Sequence, residues 1–293
     1  MNKFYFAVAF ATLIFAASCT PKNDPELEPT PDVAKDNYYL HGYLKQYRYN
    51  NTAFDEGSYF KIEYNADSTV RKIIAYSGKS AETGVVYFEL PEYLNRQMVK
   101  MEISSPGEGV EFKTEFEYQN GKLIRAVHYN IADVPTLHHI DSLFYDGNGR
   151  LSICIFNQPS TRIRDITEIT WENENVVDLK TYRKEVSDRA LLRHYTYEYL
   201  DQPNFLKTMA VYDYERHFNA ISNGDITYLS RQLCKKEYSN LSQWTRDTTH
   251  RQYTFTENGL LKTMQLTSVS EGGQFGREVM TFLTTYDVRK IEK

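Results

Sequence analysis

The sequence predicts an all-β protein, an antiparallel meander of about 16 to 20 strands that must curl into a strongly curved sheet or a barrel because twist accumulates from strand to strand. Three observations carry this expectation. First, an aromatic residue answered five to seven positions later by Leu, Val, Ile or Met recurs every 25 to 31 residues. The anchors are Tyr39, Tyr64, Tyr93, Tyr118, Tyr145, Trp171, Tyr199, Tyr228, Phe255 and Tyr286. Their answers are Leu44, Val70, Met98, Leu123, Leu151, Val176, Leu206, Leu233, Leu260 and Ile291. A fixed period of this length marks a repeat architecture. Second, the 24 Tyr and 16 Phe against 2 Trp favour pleated, half-buried surfaces. Third, polar turns such as Asn120-Gly121 separate runs of period-two alternation, which is the strongest local hairpin signal because both residues tolerate positive φ.

In chain order, residues 1–18 read as a secretory leader. Lys3 precedes an apolar stretch from Phe4 to Ala17, and small residues lead into Cys19, a pattern that resembles a bacterial lipoprotein signal. Cleavage before Cys19 and lipidation of its sulfur would anchor the chain to a membrane without spanning it. Residues 19–36 hold four of the nine prolines among acidic residues and read as an extended, solvated tether. The run Lys22 to Glu28 resembles the acidic export signal that follows the lipid cysteine in surface lipoproteins of Bacteroidota.

Residues 37–293 read as one β-repeat domain of units about 28 residues long, each with room for two strands and two turns. Glu111 to Tyr129 shows the design: Phe112, Thr114, Phe116 and Tyr118 alternate with Lys113, Glu115 and Glu117, then Asn120-Gly121 turns the chain into a return strand from Leu123. Tyr214 to Asp225 alternates weakly and is the place for at most one short helix, a plug or a flap. Cys154 and Cys234 fall in strand-like runs three repeats apart and are expected as buried free thiols.

Two resemblances follow from these residues. The aromatic-turn-Leu hairpins are similar to the tyrosine-aspartate repeats of bacterial wall-associated and toxin shell proteins. The lipoprotein start, the hairpin period, Tyr228 to Leu233 and Tyr253 to Met264 resemble an uncharacterised family of gut Bacteroidota lipoproteins with a porin-like fold. That resemblance implies a fold over residues 37–293 and an address, an outer-membrane lipoprotein displayed at the surface of a Gram-negative cell. It implies no activity.

A lipid-spanning barrel is not expected. Leu233, Lys235, Glu237 and Ser239 alternate with Cys234, Lys236, Tyr238 and Asn240, so neither set supplies an apolar band, and the sequence closes on Arg289 to Lys293 where such barrels end on an aromatic residue. The formal charge of −5 argues against nucleic acid.

No nucleophile elbow, phosphate loop, dinucleotide fingerprint or zinc-protease motif is present, so neither catalytic residues nor a cofactor are assigned. His138 and His139 are the one adjacent pair among seven histidines, and neighbours on a strand point to opposite faces, so no metal site is assigned there. Glu115 and Glu117 read as a solvated face, and Tyr195, Tyr197 and Tyr199 as a packing stripe. Trp171 reads as core. Trp244, in a turn-like stretch, is the candidate ligand contact. Ser68 and Thr248, near predicted turns, are candidate O-glycosylation positions because Asp67-Ser68-Thr69 and Asp247-Thr248-Thr249 resemble the sequon of exported Bacteroidota proteins.

The expected function is a non-catalytic, lipid-anchored envelope protein whose curved sheet presents a binding surface to a glycan or another envelope protein. The rivals are an assembly subunit of an outer-membrane complex and a hydrolase with its site inside the curled sheet.

Overall fold

Alternation becomes strand throughout a computed structural model that describes residues 38–290 apart from 51, 132–133, 185–188, 205–228, 243–244, 258 and 274–275. Sixteen strands follow in order: β1 (Tyr38–Tyr49), β2 (Ser58–Tyr64), β3 (Val70–Ser77), β4 (Val85–Leu94), β5 (Gln97–Ser104), β6 (Val110–Gln119), β7 (Lys122–Ile131) and β8 (Pro135–Tyr145). The second half holds β9 (Leu151–Gln158), β10 (Ile163–Glu172), β11 (Asn175–Lys184), β12 (Arg189–Pro203), β13 (Gln232–Ser242), β14 (Thr245–Phe255), β15 (Leu261–Gly273) and β16 (Gly276–Lys290). Each pairs antiparallel with its sequence neighbours, and β1 pairs with β16, so the sheet is a closed barrel. Closure removes the two edges that an open meander would leave. The predicted meander and its barrel alternative therefore both hold, and no helix occurs among the described residues; the candidate helix at Tyr214 to Asp225 lies outside them.

Five anchors face their answers across hairpins: Tyr64 opposite Val70, Tyr93 opposite Met98, Tyr118 opposite Leu123, Tyr145 opposite Leu151 and Trp171 opposite Val176, whereas Phe255 meets Leu261 instead of Leu260, and Tyr39 and Leu44 both lie within β1. A register shift sits beside each of these five pairs, and the residue it leaves over on the return strand is the one after the answer: Arg71, Val99, Ile124, Ser152 and Val177. One extra residue resets the phase of a strand. Apolar residues three apart therefore share a face, and Val70/Ile73, Met98/Met101, Leu123/Ala126, Leu151/Cys154 and Val176/Leu179 are all buried.

The same device corrects the strict alternation read for Leu233 to Asn240. With Lys235 left over between the pairs Glu198–Lys236 and Tyr199–Cys234, Cys234, Glu237 and Ser239 lie on one buried face.

Four anchors also tie their repeat to the one before. Tyr64 donates from its hydroxyl to the Leu40 carbonyl at 2.7 Å, Tyr145 to the Leu123 carbonyl at 2.7 Å, and Trp171 from Nε1 to the Leu151 carbonyl at 2.7 Å. Tyr199 donates to the Val176 carbonyl. Burial pushes the phenols of Tyr93, Tyr118 and Tyr145 up to about 12, so all three stay protonated at any ordinary pH. We call this the anchor end of the barrel.

Turn chemistry there follows the sequence. Asn120 and Gly121 take φ of 51° and 77°, as the hairpin signal requires. In three longer turns the same left-handed position is held by Gly149, Gly259 and Ser68 (φ 69°), so Ser68 stands where its counterparts are glycine. Cys154 and Cys234 are both buried and neither is in a disulfide, as expected.

One face of the barrel is a continuous apolar cluster running from Leu40 and Ile62 through Phe116, Leu143 and Ile169 to Tyr197 and Cys234. This is the interior face, because curvature crowds side chains inward and splays them outward. The opposite face carries ion pairs hairpin after hairpin. Glu63 bridges Lys61 and Arg71, Lys100 bridges Glu92 and Glu102, Lys113 meets Glu115, Arg125 meets Glu117, and Asp178 meets Lys180. Exposed pairs of this kind add little stability, about 0–1 kcal/mol each. They share that face with a paired apolar row of Ile155, Ile166, Tyr182 and Leu191, so the wall is charged along most hairpins without being uniformly polar.

Candidate functional site

Moving away from the anchor end, the interior changes from apolar to polar. Thr114, Asp141, Thr167, Thr181, Glu237, Ser239, Thr249 and Arg251 are all buried on the core face. Two clusters stand out. In the first, Arg251 on β14 donates from Nη2 to Glu237 Oε2 at 2.9 Å and from Nη1 to Cys234 Sγ at 3.3 Å, with only 2% of the Arg251 side chain exposed.

The second joins β6, β7 and β8. His128 lies directly opposite His139, and Thr114 opposite His128. His128 Nε2 is 3.2 Å from Asp141 Oδ2, and its Nδ1 is 3.0 Å from Thr114 Oγ1. The imidazoles of His128 and His139 stack at 3.8 Å. Burial pulls His128 below its ordinary pKa, against the raising effect of Asp141. Burial alone would raise the Asp141 carboxyl, but the hydrogen bond with His128 and the nearby His139 ring outweigh it and hold it low.

His138 and His139 correct a sequence expectation. A register shift between His128 and Tyr129 leaves His138 over in β8, which breaks the strict alternation of faces and brings the two Nδ1 atoms within 2.6 Å. The sequence reading also missed His128 and Asp141, because their approach depends on which residue of β7 meets which of β8.

Beyond the polar layer, at the far end, the core face opens to solvent along the seam that closes the barrel. Tyr47 pairs with Phe282 and Tyr49 with Met280. These four side chains are 53%, 41%, 38% and 36% exposed, in the order Tyr47, Phe282, Tyr49, Met280. The patch is held in place from below and from the end. Tyr43 stacks on Phe60 at 4.6 Å with the Lys45 ammonium 5.2 Å from the Tyr43 ring, and Asn50 exchanges hydrogen bonds with the Val279 backbone. A hydrogen bond to Glu278 raises the pKa of the Tyr49 phenol. The patch combines ring faces, a thioether and phenol hydroxyls, a mixture suited to ligands with both apolar and hydroxyl surfaces.

Other sequence candidates fall as follows. Trp244 and Cys19 lie outside the described residues. Ser68 is exposed in its turn. Thr248 lies within β14, three residues from its start at Thr245, half-buried and paired with both Tyr238 and Val269. Glu115 and Glu117 are on the charged wall as expected, Tyr195 and Tyr197 are buried with rings 6.4 Å apart, and Trp171 packs against the core cluster.

No protein-family model matches the chain, and no curated protein does. Among solved structures it is similar to a porin-like protein from Bacteroides uniformis, at 12% identity, over 85% of this chain and 96% of that one, with a TM-score of 0.55. The two share a fold. A TcdB2-TccC3-Cdc42 structure aligns with 80% of this chain and 14% of its own at 10% identity and a TM-score of 0.32, too low to carry an argument.

Proposed function

We propose that this chain is a non-catalytic envelope protein of a Gram-negative bacterium, anchored through lipid on Cys19, whose barrel stands in water and presents its far-end rim to a glycan. The observation that carries the binding reading is the exposed seam of Tyr47, Tyr49, Met280 and Phe282 on a face that is buried toward the anchor end. Exposed rings fixed by strand pairing cost little entropy to order on binding.

The polar wall supports the anchored reading over a spanning one. Lys and Arg on a lipid-facing strand cost about 2–4 kcal/mol each at mid-bilayer, and Lys61, Arg71, Lys100, Lys113, Arg125 and Lys180 all occupy the outer face. The hydrolase alternative finds little support among the described residues. Of the interior carboxylates, Asp141, Asp165 and Glu237 are engaged by His128, Arg183 and Arg251 respectively, while Asp247, on the same face of β14 as Thr249 and Arg251, has one buried oxygen without a hydrogen-bond partner.

A panel of host and microbial polysaccharides tested by thermal shift and affinity gel checks the reading. At least one glycan should shift the melting temperature, and Tyr47→Ala with Phe282→Ala should weaken that binding by about tenfold or more, the equivalent of about 1.4 kcal/mol. A shift abolished by Trp244→Ala and untouched by the seam variants would move the site to that residue. No response to any sugar would overturn the glycan reading and favour an assembly subunit, which should bring a partner through mild crosslinking.

A further inference from the structure

We propose that His128, His139 and Asp141 form a binding site for a divalent transition metal of the zinc class. The site is independent of the glycan rim. All three ligand atoms lie within 4.8 Å of one another. Asp141 Oδ2 is 3.2 Å from His128 Nε2 and 3.7 Å from His139 Nε2. Ligand atoms about 2.0–2.1 Å from a tetrahedral zinc ion stand roughly 3.3 Å apart, so the two measured edges already have the size of a coordination polyhedron.

The remaining ring nitrogens are arranged as a metal site needs. A ligating histidine usually holds its other nitrogen in a hydrogen bond that fixes tautomer and ring orientation. His128 Nδ1 has Thr114 Oγ1 at 3.0 Å and His139 Nδ1 has His138 Nδ1 at 2.6 Å. Metal binding would displace the proton that His128 Nε2 shares with Asp141 and select the tautomer in which both Nδ1–H groups donate outward and both Nε2 lone pairs face Asp141. The strand pairing builds this directly: His139 and Asp141 are two apart on one face of β8, and His128 is the register partner of His139 on β7.

A plain hydrogen-bonded His–Asp cluster is the competing explanation. It accounts for the His128–Asp141 contact but leaves His139 Nε2 buried with no hydrogen-bond partner. That nitrogen sits on a side chain nine-tenths buried and aimed at the same carboxylate oxygen. The rings stack at an interplanar angle of 12°, so metal entry requires them to splay slightly until both lone pairs converge. Three protein ligands leave a fourth position for water or another small donor.

The test uses protein without a polyhistidine tag, stripped with a chelator and titrated with Zn2+ by calorimetry and with Co2+ by visible absorption. One equivalent of either metal should bind, with a rise in melting temperature and the intense absorption of four-coordinate cobalt. His139→Gln and Asp141→Asn should each weaken binding by about a hundredfold or more, and Thr114→Val by about tenfold. His194→Gln, which alters a histidine paired with Asp178 on the outer wall, should change nothing. X-ray absorption of the zinc-loaded wild type needs no variant to fold and should show two imidazoles and oxygen without sulfur. No saturable binding of either metal, undiminished binding in His139→Gln, or a sulfur shell pointing to Cys154 or Cys234 would each overturn the proposal.

Discussion

Glu237→Ala is expected to destabilise the barrel by about 3–5 kcal/mol, because removing one partner of a buried ion pair leaves the other charge in the interior. The Arg251 guanidinium cannot follow by neutralising, since arginine keeps its proton in proteins. It lies on the core face of β14 with 2% of its side chain exposed and bonds Glu237 at 2.9 Å. The size of the loss tests that geometry, which a solvent-facing pair would not share: exposed bridges such as Arg125–Glu117 are worth about 0–1 kcal/mol. Chemical denaturation of Glu237→Ala, with Glu117→Ala as the comparison, measures the difference. The double variant Glu237→Leu with Arg251→Met should recover most of the loss, because two apolar chains remove both desolvation penalties at once. A Glu237→Ala protein as stable as wild type would place the pair in water.

Trp171→Ala should cost about 3 kcal/mol, combining lost packing with a carbonyl left without its donor. Trp171 packs against the core cluster opposite Val176 and donates to the Leu151 carbonyl of the preceding repeat. Trp171→Phe separates the two contributions, since it keeps most of the ring and removes the donor; its loss should be about 1–2 kcal/mol. Urea midpoints of the two variants give the measurement. Equal losses for both would show that the hydrogen bond dominates, and negligible loss for Trp171→Ala would deny the anchors any role in holding repeat to repeat.

The repeat made most of this fold legible. Anchor and answer could be paired by eye because the chemistry recurs: an aromatic donor facing a branched apolar residue across a short turn, as in Tyr118 and Leu123. What could not be seen was the left-over residue after each answer. Strict alternation separates Leu123 from Ala126 and Cys234 from Glu237, yet Ile124 and Lys235 bring each pair onto one face. The interior of β13 consequently looked like no face at all, although the burial of Glu237 is compensated by an arginine on the next strand.

The histidine cluster was hidden for a related reason. It needs the register across the turn near Val134, and that register slips at His138. A signal did exist, since His128 and His139 stand at nearly equal distances either side of the Asp133-Val134-Pro135 turn sequence. The aromatic rim was less accessible still, because Tyr47 and Phe282 meet only when the first strand closes on the last.

The wall polarity is the feature on which the anchored, water-facing reading stands, and the solution state of Lys35 to Lys293, the compact unit that contains the barrel, tests it most directly. Refolded or expressed without detergent, this unit should sediment as a single species with a strong β-sheet spectrum and show no added stability on transfer to lipid vesicles. A protein that aggregates in buffer and becomes folded only in detergent or vesicles would contradict it, and would mean that lipid covers the face bearing Lys61, Lys100, Lys113 and Arg125.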